Sequence, residues 1–126
     1  MLRSDAPEFV GFGECYFSEI FPGAIKAWKV HLKQTQNIAV PIGRIRLVIF
    51  DNRCSSSTRG TILSIELGRP DAYFRVQIPP GLLYGSCTIG PTSALIVNCT
   101  DLPHEKGESE LRGLNDPEIP YTWLSL

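Results

Sequence analysis

The chain has 126 residues, 43% of them hydrophobic, with a formal net charge of −1. That length suits one domain over 1–126 with a real core, and so little net charge argues against nucleic acid as a partner, which calls for a basic face. No apolar run approaches the ~18 residues that cross a bilayer, so no membrane partner is expected, and the opening MLRSDAPEF lacks the apolar core of a secretory signal, which points to the cytoplasm.

Ten Pro and eleven Gly divide the chain into short apolar runs, the pattern of an all-β sandwich or barrel. Glu14–Ile20 is the first expected strand. A Pro-Gly turn then enters Ala24–His31, where the period of two puts Lys29 and His31 on one face. Asn37–Pro41 follows, and Gly43 is expected to close a tight hairpin into Arg44–Asp51. There Ile45, Leu47 and Ile49 share one face and Arg46, Val48 and Phe50 the other, as suits a strand covered on both sides. Asn52–Gly60 reads as a polar, Ser-rich loop. Thr61–Leu67 sets Leu63, Ile65 and Leu67 against Ile62 and Ser64, the alternation of one buried face. After Tyr73–Ile78, Pro79-Pro80-Gly81 must be a turn, because neither Pro can donate to a ladder. Leu82–Tyr84 is a short piece and Ala94–Cys99 the last strand. The charged stretch from Pro103 to Asn115 holds at most one helical turn, around Glu108–Leu111. Tyr121 and Trp123 are expected to dock the C-terminus back onto the barrel.

The four cysteines, Cys15, Cys54, Cys87 and Cys99, form no C-x-x-C pair, and free thiols in a reducing compartment are the simpler reading than a zinc knuckle. Cys15 and Cys99 lie in apolar runs and read as small core fillers. Asn98-Cys99-Thr100 matches a glycosylation sequon, a short pattern that also arises by chance.

Six segments, in order, carry a resemblance. They are Gly13-Glu14-Cys15-Tyr16-Phe17, then Gly23 to Lys29, then Gly43-Arg44-Ile45 with Val48-Ile49-Phe50-Asp51. After these come Arg53 with Ser57-Thr58-Arg59-Gly60, then Val76 to Gly81, and last Asp116-Pro117-Glu118-Ile119 through Trp123. From Phe12 to Trp123 the chain resembles the dTDP-4-dehydrorhamnose 3,5-epimerase family. The resemblance implies a cupin-like jelly roll, a double-stranded β-helix. It implies a cytoplasmic homodimer without cofactor. It also implies an isomerase that epimerises an NDP-4-keto-6-deoxyhexose, taking a proton from beside the ketone and returning one, in deoxysugar or polysaccharide synthesis. The alternative is a binding-only homologue that holds a sugar nucleotide.

That chemistry needs two proton-transfer groups flanking the sugar and donors to the enolate. In the family the groups are usually His and Tyr. Here the His position of G-x-[IVL]-[RK]-G-[LW]-H is Lys29, the Tyr run is replaced by Cys99-Thr100-Asp101-Leu102-Pro103-His104, and Tyr84 stands at the His of an A-H-G turn. The catalytic candidates are therefore Lys29, His31, His104 and Tyr84. Lys29 is a base, an oxygen donor or a solvated strand residue. His31 is a replacement base or a hydrogen-bonded barrel histidine. His104 is an acid or a surface residue, and Tyr84 a mouth phenol or a rim aromatic. Lys26, Lys33, Arg44 and Arg46 are candidates for a diphosphate, or ordinary surface charges. Trp28 either packs between the sheets or stacks on the sugar or base. A metal cupin needs His-x-His with a Glu and a later His; Lys29-Val30-His31 breaks that pair, so no metal is expected.

Overall fold

The computed structural model describes residues 1–123 and consists of two antiparallel sheets facing each other, without helix among those residues. The strands are β1 (Glu14–Ile20), β2 (Ile25–His31), β3 (Gln36–Ile42), β4 (Arg44–Phe50), β5 (Ile62–Gly68), β6 (Val76–Ile78), β7 (Leu83–Thr88), β8 (Ala94–Thr100) and β9 (Ser109–Leu111). One sheet runs β1-β8-β3-β6 and the other β5-β4-β7-β2-β9. This is the cupin-like jelly roll that the resemblance implied.

Most expected strands stand within a residue or two of their bounds. The rest are corrections. The short piece at Leu82–Tyr84 is the beginning of β7, a full central strand between β4 and β2. Its small, polar Gly85-Ser86-Cys87-Thr88 gave no apolar alternation to read. Tyr73–Ile78 shrinks to β6. Residues around Glu108–Leu111 form β9 against β2 in place of a helical turn. Gly43 closes no hairpin, because β3 and β4 belong to different sheets. It turns the chain from one sheet to the other with φ +77°, and a Cβ there would collide with the Ser93 carbonyl oxygen.

The interior has an apolar end and a polar end. Ile20, Ile45, Leu67, Ala94 and Ile96 pack with Ile38, Val40, Leu47 and Ile49 between the sheets. At the other end the interior side chains are His31, Gln34, Gln36, Asn98, Thr100 and Glu108, all buried. Apolar side chains also cover the outer face of the five-stranded sheet. There Trp28, Val30, Val48, Phe50 and Leu83 are roofed by Ile119, Tyr121 and Trp123. The expected docking of Tyr121 and Trp123 is therefore present, and both faces of β4 are buried as its pattern required. Trp28 belongs to this outer cluster and does not pack between the sheets, with ring centroids 5.9 Å from Tyr121 and 5.3 Å from Trp123.

The cysteine expectations divide. Cys99 is buried, but Cys15, directly opposite it on β1, is exposed and fills no core. All four thiols are free. In the loop after β4, Asp51 accepts hydrogen bonds from Arg53, Ser56 and Thr58. The Arg53 guanidinium, helped by the two hydroxyls, holds its carboxyl far below the usual carboxylate range.

Candidate active site

A register shift in β2 builds the site. Lys26 pairs with Ser86 and Lys29 with Tyr84, so β2 spends three residues where β7 spends two. This bulge sits at Ala27–Trp28 and resets the side-chain alternation. Strict alternation would put Lys26 and Lys29 on opposite faces. The bulge instead turns both inward with Ser86 and Tyr84, while Trp28 turns outward. Lys26 Nζ donates to Ser18 Oγ at 2.8 Å and to the Glu19 carbonyl at 3.1 Å, tying β2 to β1 across the opening.

The resulting hollow of about 420 Å³ lies between the sheets, within the usual range of small-molecule sites. Ile38, Ile45, Leu47 and Ile96 form its apolar floor, and Tyr16, Lys26, Lys29, Tyr84, Ser86 and Asn98 supply polar groups. A second hollow of about 300 Å³ shares Tyr16 and Lys29 with it and adds Glu14, His31, Gln34 and His104.

At the polar end His31 bridges two partners. Its Nδ1 lies 2.8 Å from Glu108 Oε1 and its Nε2 3.0 Å from the Tyr84 hydroxyl. Glu108 Oε2 accepts the backbone N–H groups of Lys33 and Gln34 at 3.2 and 3.0 Å. Burial pushes the Glu108 carboxyl upward, but hydrogen bonds from His31 and those two N–H groups outweigh it, and the group stays below its ordinary range. Burial, aided by the Lys29 charge, lowers the His31 pKa and together they outweigh the opposing pull of Glu108. His31 is thus neutral at pH 7, and the ionised Glu108 fixes its proton on Nδ1. Nε2 is left to accept the Tyr84 O–H. Burial, with Tyr16 and Glu108 nearby, raises the Tyr84 phenol pKa.

On the facing sheet Asn98 Nδ2 donates to the Tyr16 hydroxyl at 2.9 Å. A run of buried amides orients that donor. Gln34 Nε2 donates to the Leu102 and Pro103 carbonyls, Gln36 Nε2 to Gln34 Oε1, and Asn98 Nδ2 to Gln36 Oε1. The sequon at Asn98 is therefore interior. Burial raises the Tyr16 phenol pKa, against the opposing pull of the Asn98 hydrogen bond.

The structure brings Lys26, Lys29 and Tyr84 to one hollow, and places His31 and His104 in the adjoining one, which Lys29 also lines. Trp28 borders the hollow, but its side chain is fully buried and packs beneath the C-terminal segment. Three candidates are not brought there. Arg44 and Arg46 lie on the outer face of β4, bound to Glu66 and, for Arg44, to Asp71. Lys33 is exposed and pairs with Glu105 at 3.8 Å. Sequence reading missed Glu108, Tyr16 and Asn98. Alternation along β1 puts Glu14, Tyr16, Ser18 and Ile20 on one face and could have flagged Tyr16. Nothing local marks Glu108, which sits in a charged stretch far from its partner. Among the described residues no three His, Cys, Asp or Glu side chains gather as a metal site.

No family model matches the chain. A solved dTDP sugar isomerase from Desulfovibrio desulfuricans is 50% identical, with TM-score 0.95 over 98% of this chain and 78% of that one. A probable low-salt glycan biosynthesis epimerase, Agl13, of Haloferax volcanii is 32% identical over 100 residues, which are 78% of this chain and 64% of the relative. The dTDP-4-dehydrorhamnose 3,5-epimerase of Bacillus anthracis, solved with TDP and PPi bound, shares the fold at TM-score 0.80 and 23% identity, over 92% of this chain and 67% of that one.

Proposed function

The chain belongs to the dTDP-sugar epimerase and isomerase family that includes dTDP-4-dehydrorhamnose 3,5-epimerase, and from that premise we propose that it epimerises an NDP-4-keto-6-deoxyhexose. The observation that carries this reading is the hollow between the sheets, lined by Lys29 and by Tyr84, whose hydroxyl is hydrogen-bonded to the buried His31–Glu108 pair. A 4-keto group acidifies the protons at C3 and C5 of the sugar. A base removes one, charge moves to the keto oxygen, and a proton returns to the same carbon. Lys29 is suited to meet the developing enolate, since a fixed cation in a half-dry site stabilises that charge. Lys26, at the open side, is the cation within reach of a diphosphate.

The descriptions of the relatives as isomerase and epimerase favour catalysis over a binding-only role. We place the reaction in a single domain, in the cytoplasm, where free thiols such as Cys15 and Cys54 stay reduced. The working form in this reading is a homodimer. β1 is an edge strand, and Phe12, Phe17 and Phe21 on and beside it are exposed, a surface that a second copy would cover.

The test is incubation with dTDP-4-keto-6-deoxyglucose in heavy water. Deuterium at C3 or C5 and a new epimer are expected. A protein that binds dTDP yet incorporates no deuterium refutes the epimerase reading.

A further inference from the structure

We propose that Tyr84 and Tyr16 are the two groups that exchange protons with the sugar, Tyr84 as base and Tyr16 as acid on the opposite wall; this rests on the epimerase reading above. The two phenols come from facing sheets, β7 and β1, and line the same hollow. Their hydrogen bonds have opposite polarity. The Tyr84 O–H is committed to His31 Nε2, so its oxygen lone pairs are what it offers the hollow. The Tyr16 oxygen receives Asn98 Nδ2–H, its one hydrogen bond among the described residues, so its own proton is what it offers. Neither polarity can reverse easily. Glu108, held by two backbone N–H groups, keeps the His31 proton on Nδ1. The run of amides from Gln34 through Gln36 keeps the NH₂ of Asn98 toward Tyr16.

The step balances. The C–H bond beside the ketone breaks and its proton passes to the Tyr84 oxygen as the Tyr84 proton passes to His31 Nε2. The electron pair moves into the enolate, whose oxygen faces Lys29. Tyr16 then gives its proton to the same carbon from the other face and becomes a phenolate that Asn98 stabilises. The imidazolium and the phenolate return to neutral by proton exchange with water. His31 and Glu108 are positioning residues, because they act through Tyr84.

Deuterium incorporation and epimer formation, followed together in heavy water, separate the two roles. Tyr84→Phe is expected to lose exchange by ~10²–10⁴-fold. Tyr16→Phe is expected to keep exchange, now with retained configuration, while epimer formation falls by a similar factor. Wild-type protein that incorporates no deuterium overturns the epimerase reading and the assignment with it. Wild-type exchange that survives Tyr84→Phe, or inversion that survives Tyr16→Phe, overturns the assignment alone.

The pH profile is a separate check that does not need either tyrosine variant to fold. Exchange requires neutral His31, so its rate should fall on acidification below pH 6.5, the ordinary histidine value. The groups facing His31 are Glu108, Lys29 and Tyr84, with Glu14, Tyr16 and His104 around the smaller hollow. Glu108 alone among these bonds its Nδ1 and favours the imidazolium. Glu108→Gln should therefore move the acid limb to lower pH, a change that a purely structural role would not produce. An unmoved limb overturns the relay.

Discussion

At the scale of single residues, Lys29 is the change that most sets this chain apart from its family's pattern, and the structure gives it neighbours that make a proton-transfer role unnecessary. A His–carboxylate pair and a phenol already stand beside it. Lys29→Met should lower the exchange rate by ~10²–10³, the usual cost of losing one oxyanion donor, and leave dTDP affinity nearly unchanged. A variant that exchanges at the wild-type rate would remove Lys29 from the mechanism. His31 makes a second prediction, about stability. Its folded pKa is lowered, so the unfolded chain binds the proton more readily and stability falls as pH drops through 6.5. Glu108, also lowered from its ordinary 4.5, adds a further loss at more acid pH, so the two effects have the same sign. The melting temperature should decline from pH 7.5 to 5.5, and His31→Gln should flatten that decline. An equal decline in the variant would assign it to other groups.

At the scale of elements, the bulge in β2 depends on its neighbour β7. Gly85 stands beneath it, and a Cβ there would lie 2.6 Å from Ala27 Cβ and 2.9 Å from the Trp123 ring. The missing side chain is what lets the bulged backbone and the aromatic roof close together. Gly85→Ala should destabilise the fold by ~1–3 kcal/mol through overpacking and redshift the tryptophan emission, because both Trp28 and Trp123 sit in that cluster. Urea denaturation followed by fluorescence reads both effects, and a wild-type midpoint would mean the roof simply shifts. The same bulge puts Lys26 and Lys29 on one face where strict alternation would oppose them: one extra residue inverts the parity of everything before it.

At the scale of the whole molecule, the two sheets divide the work. Their apolar end holds the fold together, and the hollow lies where Ile38, Ile45, Leu47 and Ile96 of that end meet the polar one. A nucleoside diphosphate sugar bound there should stabilise the native state by mass action, about 2.7 kcal/mol at a hundredfold excess over Kd. Millimolar dTDP is therefore expected to raise the melting temperature, and Lys26→Ala to weaken that shift. No shift with any nucleoside diphosphate would exclude the diphosphate contact. The association state is as direct to test. Light scattering should give twice the mass of the chain, and Phe17→Glu on the exposed edge strand should halve it. A wild-type monomer would leave the phenylalanines around β1 to another partner.

What depends on neighbours along the chain was legible in the residues alone. Period-two alternation placed β4 and its two apolar rows, and short apolar runs between turn residues placed β1. Proline and glycine marked the turn at Pro79-Pro80-Gly81, and the order of short motifs identified the family. What depends on residues far apart in the chain emerged only with the pairing of strands into sheets. Glu108 reaches His31 across 77 positions and Asn98 reaches Tyr16 across 82. The direction of a hydrogen bond over such distances is set by which strands lie side by side and where a bulge falls. The same reason removed Arg44 and Arg46 from the site: their spacing fits a cation pair for a diphosphate, but the sheet turns that face outward, toward Glu66 and Asp71.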